Sequence, residues 1–137
     1  MKLDTTHHID AAPQDVFDRL SDPSAFGRIS DKIEVRPAGH GHWTMKAEMN
    51  GAPVEAELTQ PECTAPERVT YLAQAQGLEI TVGFDVAPEG TGTDLRVTVD
   101  FAGASMKGKM LMQGLKLMAP KMQSGLERMV AKLAAAA

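Results

Sequence analysis

The sequence has little of several features that mark particular classes of protein. It has one cysteine, so no disulfide can form within the chain. No apolar stretch approaches the length that a membrane-spanning helix needs, so we predict no transmembrane segment. The first ten residues, MKLDTTHHID, lack the apolar run of a secretory signal peptide. We therefore expect a protein of the reducing cytoplasm.

The chain of 137 residues fits a single domain, residues 1–137, which can enclose a core without disulfides or metals. Its net charge of −4 is unevenly distributed, because residues 103–137 hold six Lys or Arg and one Glu. The remainder is strongly acidic. A chain with this balance has no overall attraction for nucleic acid, so we predict no nucleic-acid partner.

The C-terminal segment, residues 105–135, has the apolar spacing of a long helix. Its large apolar side chains recur every three or four residues, which places them on one side of a helix and predicts that this side is buried. The predicted stripe consists of Leu111, Leu115, Met118, Met122, Leu126, Met129 and Leu133. Pro120 removes one helical hydrogen bond and crowds the preceding turn, so we expect a bend there.

The N-terminal part of the chain predicts a strand followed by a helical corner. Residues 2–9 alternate in the manner of a strand, with His7 on the same side as Leu3 and Ile9. Ala12-Pro13 is a typical helix start, and Asp22-Pro23 repeats that signal after Ser21. The second, short helical turn is expected to carry Phe26.

From Ile33 onward the period of two and the regular turn residues predict six strands in a meander. Two-residue turns at residues 50–51, 76–77 and 90–91 fix the register of three hairpins. The predicted facing pairs include Trp43 with Leu58, Met45 with Ala56, Val69 with Phe84, Tyr71 with Val82, Val86 with Leu95, and Ile80 with Phe101. These registers leave one face of the sheet apolar, and the C-terminal helix is the element large enough to cover it.

The run from Ile9 to Pro23, IDAAPQDVFDRLSDP, resembles the opening of the START-like, Bet v 1-like (SRPBCC) superfamily. That superfamily includes polyketide cyclase-like and CoxG-like proteins, and the predicted order of elements is similar along essentially the whole chain. The resemblance implies an α+β, helix-grip fold, in which a seven-stranded antiparallel sheet (β-α-α-β6-α) wraps around a long C-terminal helix. It also implies a hydrophobic cavity between the sheet and the helix.

Small residues on the inner face of the predicted sheet allow two interpretations. Either the helix and the sheet approach closely and fill the core, or a curved sheet stands away from the helix and leaves an apolar cavity. In the second case the candidate ligand-binding residues are Phe26, Trp43, Met45, Tyr71, Phe84, Phe101, Met110, Gly114 and Met118.

Few residues on the predicted inner face could carry out chemistry. His7 and Tyr71 are the candidate catalytic groups, although His7 also fits a core histidine and Tyr71 also fits an anchor to the backbone. His40 and His42 could share one side of a strand, but further metal ligands are lacking. Cys63 lies in a predicted loop from Pro61 to Pro66. We therefore predict no metal. The Gly-rich segments are hairpin turns without the strand-to-helix context of a phosphate-binding loop, and we predict no other cofactor.

The basic side of the C-terminal helix could dock on an acidic partner or an anionic membrane. We favour the simpler interpretation that its lysines are solvated, while Met106, Met110 and Leu117 pack under the predicted helical corner or border the cavity.

Three hypotheses follow from the sequence. The first is binding or transport of a hydrophobic small molecule, which could be lipid-, quinone- or polyketide-like. The second is a cyclase-, dehydratase- or hydrolase-like enzyme that uses His7 or Tyr71 in the same cavity. The third is recruitment of a membrane or another partner through the basic helix, as CoxG-like proteins suggest.

Overall fold

The computed structural model describes residues 1–24, 33–39, 41–49 and 52–136. Within these residues the chain forms seven strands and three helices. In chain order they are β1 (Lys2–Ile9), α1 (Pro13–Leu20), β2 (Ile33–Gly39), β3 (His42–Met49), β4 (Ala52–Thr64), β5 (Arg68–Ala75), β6 (Leu78–Glu89), β7 (Gly92–Gly103), α2 (Met106–Leu117) and α3 (Ala119–Ala136).

The strands form one antiparallel sheet in the order β1-β7-β6-β5-β4-β3-β2, which confirms the predicted seven-stranded sheet. The registers of the three hairpins are also confirmed, with Trp43 opposite Leu58 and Tyr71 opposite Val82. Gln76 and Gly77 have positive φ angles of 52° and 80°, which two-residue hairpin turns favour because they match the twist of the strands. The turn at residues 50–51 lies outside the described residues.

Helix α1 begins where the sequence predicts, with a proline in its first turn. Val16, Phe17 and Leu20 form its buried side, with exposed fractions of 2%, 4% and 2%. The start signal at Asp22 is partly seen, since the backbone N–H of Ser24 donates to an Asp22 carboxylate oxygen at 3.1 Å. The predicted second helical turn, which includes Phe26, otherwise lies outside the described residues.

Strand β4 continues further than the sequence predicts. Its pairing with β5 shifts between Thr59 and Glu62, and the strand then runs to Thr64. The bulge accommodates Pro61, which has no N–H to donate to a neighbouring strand. The predicted loop from Pro61 to Pro66 was therefore wrong in its first part, and Cys63 lies on β4 opposite Val69, exposed to solvent.

The C-terminal helix is divided at Met118 into α2 and α3. Pro120 lies in the first turn of α3, where its missing N–H removes no bond that the helix needs. The expected bend near Pro120 is thus confirmed as a break between two helices.

The buried side of these two helices differs from the predicted stripe. Met112 and Val130, which are outside the predicted stripe, are buried together with Leu133, which belongs to it. Leu111, Met118 and Met129 of the stripe are 36%, 37% and 42% exposed. The difference is greatest in α2, where Gly108 and Met112 are buried and Leu111 is not.

The N-terminus of α2 is held against the β5–β6 turn. The N–H of Ala104 donates to the Gly77 carbonyl at 2.8 Å, and the Ser105 hydroxyl accepts from the Gly108 N–H at 3.1 Å. A Cβ atom built on Gly108 would lie 1.9 Å from the Gly77 carbonyl oxygen, so only glycine permits this approach. The contact turns the Gly108 and Met112 side of α2 toward the sheet, which explains why the predicted stripe is partly exposed.

The three helices cover one half of the sheet more closely than the other. Helix α2 lies against β7 and β6, α3 lies against β1, and α1 lies against β5, β6 and β7. The Gln123 amide of α3 also donates to the Asp4 carbonyl of β1 at 2.7 Å. The inner face of β2, β3 and β4 therefore has the least cover from these helices.

Candidate functional site

The inner face of the sheet is tightly packed where α1 covers it. Val69, Leu95 and Val97 are exposed by 1% or less and belong to the same core cluster as the buried side of α1. Apolar side chains in such a cluster are removed from water as fully as in any protein core. Within the described part of the chain, the apolar side chains at this end of the inner face are packed and offer a ligand almost no surface.

The opposite end of the inner face is only half buried. Six apolar side chains there pack against the core cluster and still reach solvent. We call them the inner patch, and they are Trp43, Met45, Ala75, Ile80, Val82 and Phe101. Since apolar side chains on the covered face of a sheet are normally buried, the inner patch marks a part of the core that the described residues leave incompletely covered.

The registers place part of the inner patch on one row across five strands. The row consists of Trp43, Leu58, Ala73, Ile80 and Phe101, each opposite the next on a neighbouring strand. Ala73 has the smallest side chain of the row and lies at its centre, and Ala75 is next on the same face. The side chains of the row are therefore shortest at its centre and larger on either side, which leaves a depression in the inner face.

Two buried aromatic rings lie beside the inner patch. The ring centroids of Trp43 and Tyr71 are 6.5 Å apart, and those of Tyr71 and Phe84 are 6.1 Å apart, both in edge-to-face arrangements. Tyr71 and Phe84 are 1% and 4% exposed, so Tyr71 contacts Trp43 from the core side and is itself held by Phe84. Edge-to-face contacts of this kind fix the orientation of the rings.

The hydroxyl of Tyr71 is bound to the end of α1. It donates to the Leu20 carbonyl, and it accepts from the Gln60 amide at 3.2 Å. The same amide donates to the Ser21 carbonyl at 3.1 Å. Burial raises the pKa of Tyr71, which keeps the hydroxyl protonated and able to donate. These contacts agree with the interpretation of Tyr71 as an anchor to the backbone.

Replacing Tyr71 by Phe is expected to lower the free energy of unfolding by about 1–3 kcal/mol, because the buried Leu20 carbonyl loses its donor. The parent should also lose stability as the pH rises above 10.0, the ordinary pKa of Tyr, because the unfolded chain then ionises before the folded one. The Phe variant should lack this contribution to alkaline destabilisation. Urea unfolding from neutral to alkaline pH measures both effects, and equal alkaline slopes for the two proteins would contradict the assignment.

His7 does not meet Tyr71 in the structure. It lies on β1 opposite Leu95, and strands β7 and β6 separate β1 from β5. Helix α3 lies against this strand. The two predicted catalytic candidates are therefore separate groups and do not form an acid–base pair.

The metal-ligand candidates can be examined only in part. His42 is exposed on β3, and His40 lies outside the described residues. Among the residues that are described, no three His, Cys, Asp or Glu side chains are close enough to hold a metal ion together.

The other predicted ligand-binding residues divide by location. Trp43, Met45 and Phe101 belong to the inner patch, whereas Phe26 lies outside the described residues. Met118 lies between α2 and α3 and is 37% exposed. Met110 is 73% exposed on the side of α2 that faces away from the sheet, and a Cβ on Gly114 would meet no other atom within 4 Å.

Several residues of this region were not singled out by the sequence. Ala75, Ile80 and Val82 read as ordinary core positions, and their half-buried state depends on where the helices lie. Gln60 precedes Pro61 within strand β4. A proline inside a strand was the available signal that the strand is irregular at this point and that the polar side chain of Gln60 turns inward.

Comparison with protein families matches residues 1–136 to the family described as polyketide cyclase/dehydrase and lipid transport. No curated protein matches the sequence. No helix in the described parts of the chain is long and apolar enough to cross a membrane.

Solved structures share the fold at low sequence identity. A protein from Thermus thermophilus matches with a TM-score of 0.77 and 16% identity, over 98% of this chain and 94% of that one. A START superfamily protein from Mycobacterium smegmatis matches with a TM-score of 0.63 and 15% identity, over 93% and 97% of the two chains. Ara h 8.0201 matches with a TM-score of 0.66 and 10% identity, over 98% and 95%.

The sheet, its long C-terminal helical segment and these neighbours identify the START/Bet v 1 helix-grip fold that the opening sequence predicted. The family match over residues 1–136 assigns the chain to a family as well as to a fold. The chain belongs to the polyketide cyclase/dehydrase and lipid transport family.

Proposed function

We propose that the protein binds a hydrophobic small molecule against the inner patch and carries it without covalent chemistry. The ligand class is lipid-, quinone- or polyketide-like. The observation that carries the proposal is the half-buried state of six apolar side chains on the face of the sheet that is otherwise core. Covering apolar surface is favourable by about 25 cal/mol for each Å² removed from water, so an apolar ligand would bind there.

The side chains of the inner patch favour a ligand that is neutral over most of its length. All six members are apolar, and the nearby hydroxyl of Tyr71 already bonds with Leu20 and Gln60. A charged group buried here would lose its hydration without a charged partner in the patch. Family membership supports the same ligand class, since its description includes lipid transport.

An enzyme that uses the same surface is the alternative. Its two candidate groups, His7 and Tyr71, lie on strands separated by β7 and β6, and Tyr71 is bound to the end of α1. General acid–base catalysis needs a group that can exchange a proton with the substrate, so either residue could act alone with ordered water. The Tyr71 hydroxyl already donates to the Leu20 carbonyl and accepts from Gln60, and His7 lies on β1 outside the inner patch, so binding is the function that we propose.

A Met45→Gln variant tests the proposal with the neutral fluorescent probe N-phenylnaphthylamine. The parent should bind the probe saturably, with energy transfer from Trp43, the single tryptophan. Placing an amide under a bound apolar molecule costs about 1–3 kcal/mol, so the variant should bind about 5- to 150-fold more weakly. Fluorescence titration gives both dissociation constants.

Thr44→Gln is the matched control, because Thr44 is the preceding residue on β3 and faces the outer side of the sheet. It should bind the probe as the parent does. Equal weakening by both substitutions, or no saturable binding by the parent, would refute the proposed site.

A further inference from the structure

The outer side of α2 exposes a line of large apolar side chains. Met106, Met110 and Leu117 are 82%, 73% and 86% exposed. Their spacing of four and seven residues places them on one line along the helix, opposite Gly108 and Met112. We call these three residues the outer ridge.

The outer ridge corrects an expectation from the sequence. Met106, Met110 and Leu117 were expected to pack under the helical corner or at the border of the cavity, but the structure exposes all three. Among the described residues, these three are the most exposed of the large hydrophobic side chains, and all three lie on α2. Such a concentration of exposed apolar surface on one helix marks an interaction site.

Positive charge accompanies the outer ridge. Lys107 lies on one flank of the ridge, and Lys109 and Lys116 lie on the other. On α3 the outer line is itself basic, with Lys121, Arg128 and Lys132 exposed at spacings of seven and four residues. The remainder of the chain is strongly acidic, so the positive charge is concentrated on the two C-terminal helices.

We infer that the outer side of α2 and α3 docks on an anionic lipid bilayer, with the outer ridge in the interface and the basic residues among the headgroups. The outer ridge and the basic residues are both required, because peripheral attachment to a membrane needs an apolar and an electrostatic contribution together. The docking surface lies on the opposite side of α2 from the sheet. It is therefore independent of the inner patch, and either proposal can fail without the other.

The charge pattern argues against a second copy of the chain as the occupant. A symmetric pairing of two outer ridges would bring the flanking lysines of both copies together, and like charges at such an interface are unfavourable. Flexible Met and Leu side chains, flanked by lysines whose stems are apolar and whose amines reach water, suit a lipid surface.

Flotation with vesicles tests the inference. The protein should float with vesicles of phosphatidylcholine and phosphatidylglycerol, should not float with phosphatidylcholine alone, and should be released by added salt. Neutralising Lys109 and Lys116 to Gln should weaken binding by about fivefold for each charge removed. Neutralising Lys2 and Lys46 to Gln, on the sheet, is the matched control and should leave binding unchanged.

The apolar contribution is tested in the same assay. A double variant, Met106→Gln with Leu117→Gln, should lose most of the binding, whereas Met129→Gln, on α3 away from the outer ridge, should retain it. Circular dichroism of each variant confirms that it is folded.

Three results would overturn the inference. One is that the protein binds phosphatidylglycerol vesicles, but neither the lysine pair nor the Met106 and Leu117 pair weakens this binding more than its control variant does. Another is binding to soluble polyglutamate without binding to vesicles, which would indicate an acidic protein partner. The third is a dimer in sedimentation that Leu117→Gln dissociates, which would indicate a second copy.

Discussion

An Ala75→Leu variant is expected to retain the stability of the parent and to bind N-phenylnaphthylamine about tenfold more weakly or worse. Ala75 is a half-buried member of the inner patch, so a leucine there adds apolar contacts and occupies the place of the ligand. A tenfold loss of affinity corresponds to about 1.4 kcal/mol of binding free energy. Burying one large apolar group is worth more than this, so a leucine that displaces such a group of the ligand accounts for the loss. Urea unfolding and fluorescence titration measure the two effects separately.

The contrast with Ala73→Leu makes this prediction specific. Ala73 is two residues earlier on the same face of β5, and it is 4% exposed. Extra methylene groups at a packed position usually cost about 1–3 kcal/mol of stability. If Ala75→Leu destabilised the protein as much as Ala73→Leu, the inner face would be filled at both positions, and the inner patch would have no room for a ligand.

Gly108→Ala is expected to lower the free energy of unfolding by about 3 kcal/mol or to displace α2, and Gly114→Ala is expected to raise it by about 0.5–1 kcal/mol. The added methyl group at residue 108 would lie 1.9 Å from the carbonyl oxygen of Gly77, a backbone atom that cannot move alone. At residue 114 it would meet no atom within 4 Å, so only the helix propensity changes. Urea unfolding of both variants gives the comparison.

Similar stabilities for the two glycine variants would contradict the description of α2. Such a result would mean that α2 is not held against the β5–β6 turn, and the assignment of its buried side and outer ridge would fail with it. The two substitutions are matched because both replace glycine by alanine within the same helix.

The sheet could be predicted closely because its information is local. Alternating side chains and two-residue turns determine register within a hairpin, and a slip by one residue would exchange the two faces. The registers of Trp43 and Tyr71 follow from that reasoning. Alternation does not reveal the bulge between Thr59 and Glu62 on strand β4, and Pro61 was the signal available there.

The rotation of α2 could not be predicted, because it depends on a contact between distant parts of the chain. The periodicity of α2 contains apolar residues on two sides, and the close approach of Gly108 to Gly77 selects which side faces the sheet. Trp43, Met45 and Phe101 were predicted as lining residues from sheet parity alone, and they lie in the inner patch. Met110 was also predicted to line the ligand site, but it lies on the helix, where the alternation of a strand does not apply. The structure places it on the outer ridge.

The most direct test of the central claim is a titration with N-phenylnaphthylamine followed by the methyl signals of the methionines, labelled with ¹³C, in NMR spectra. The chain has nine methionines, of which Met45 lies in the inner patch and Met106 and Met110 lie on the outer ridge. The account predicts that the Met45 signal shifts saturably and shows nuclear Overhauser contacts with the probe, while the signals of Met106 and Met110 stay in place. Shifts of Met106 and Met110 without a shift of Met45 would contradict it.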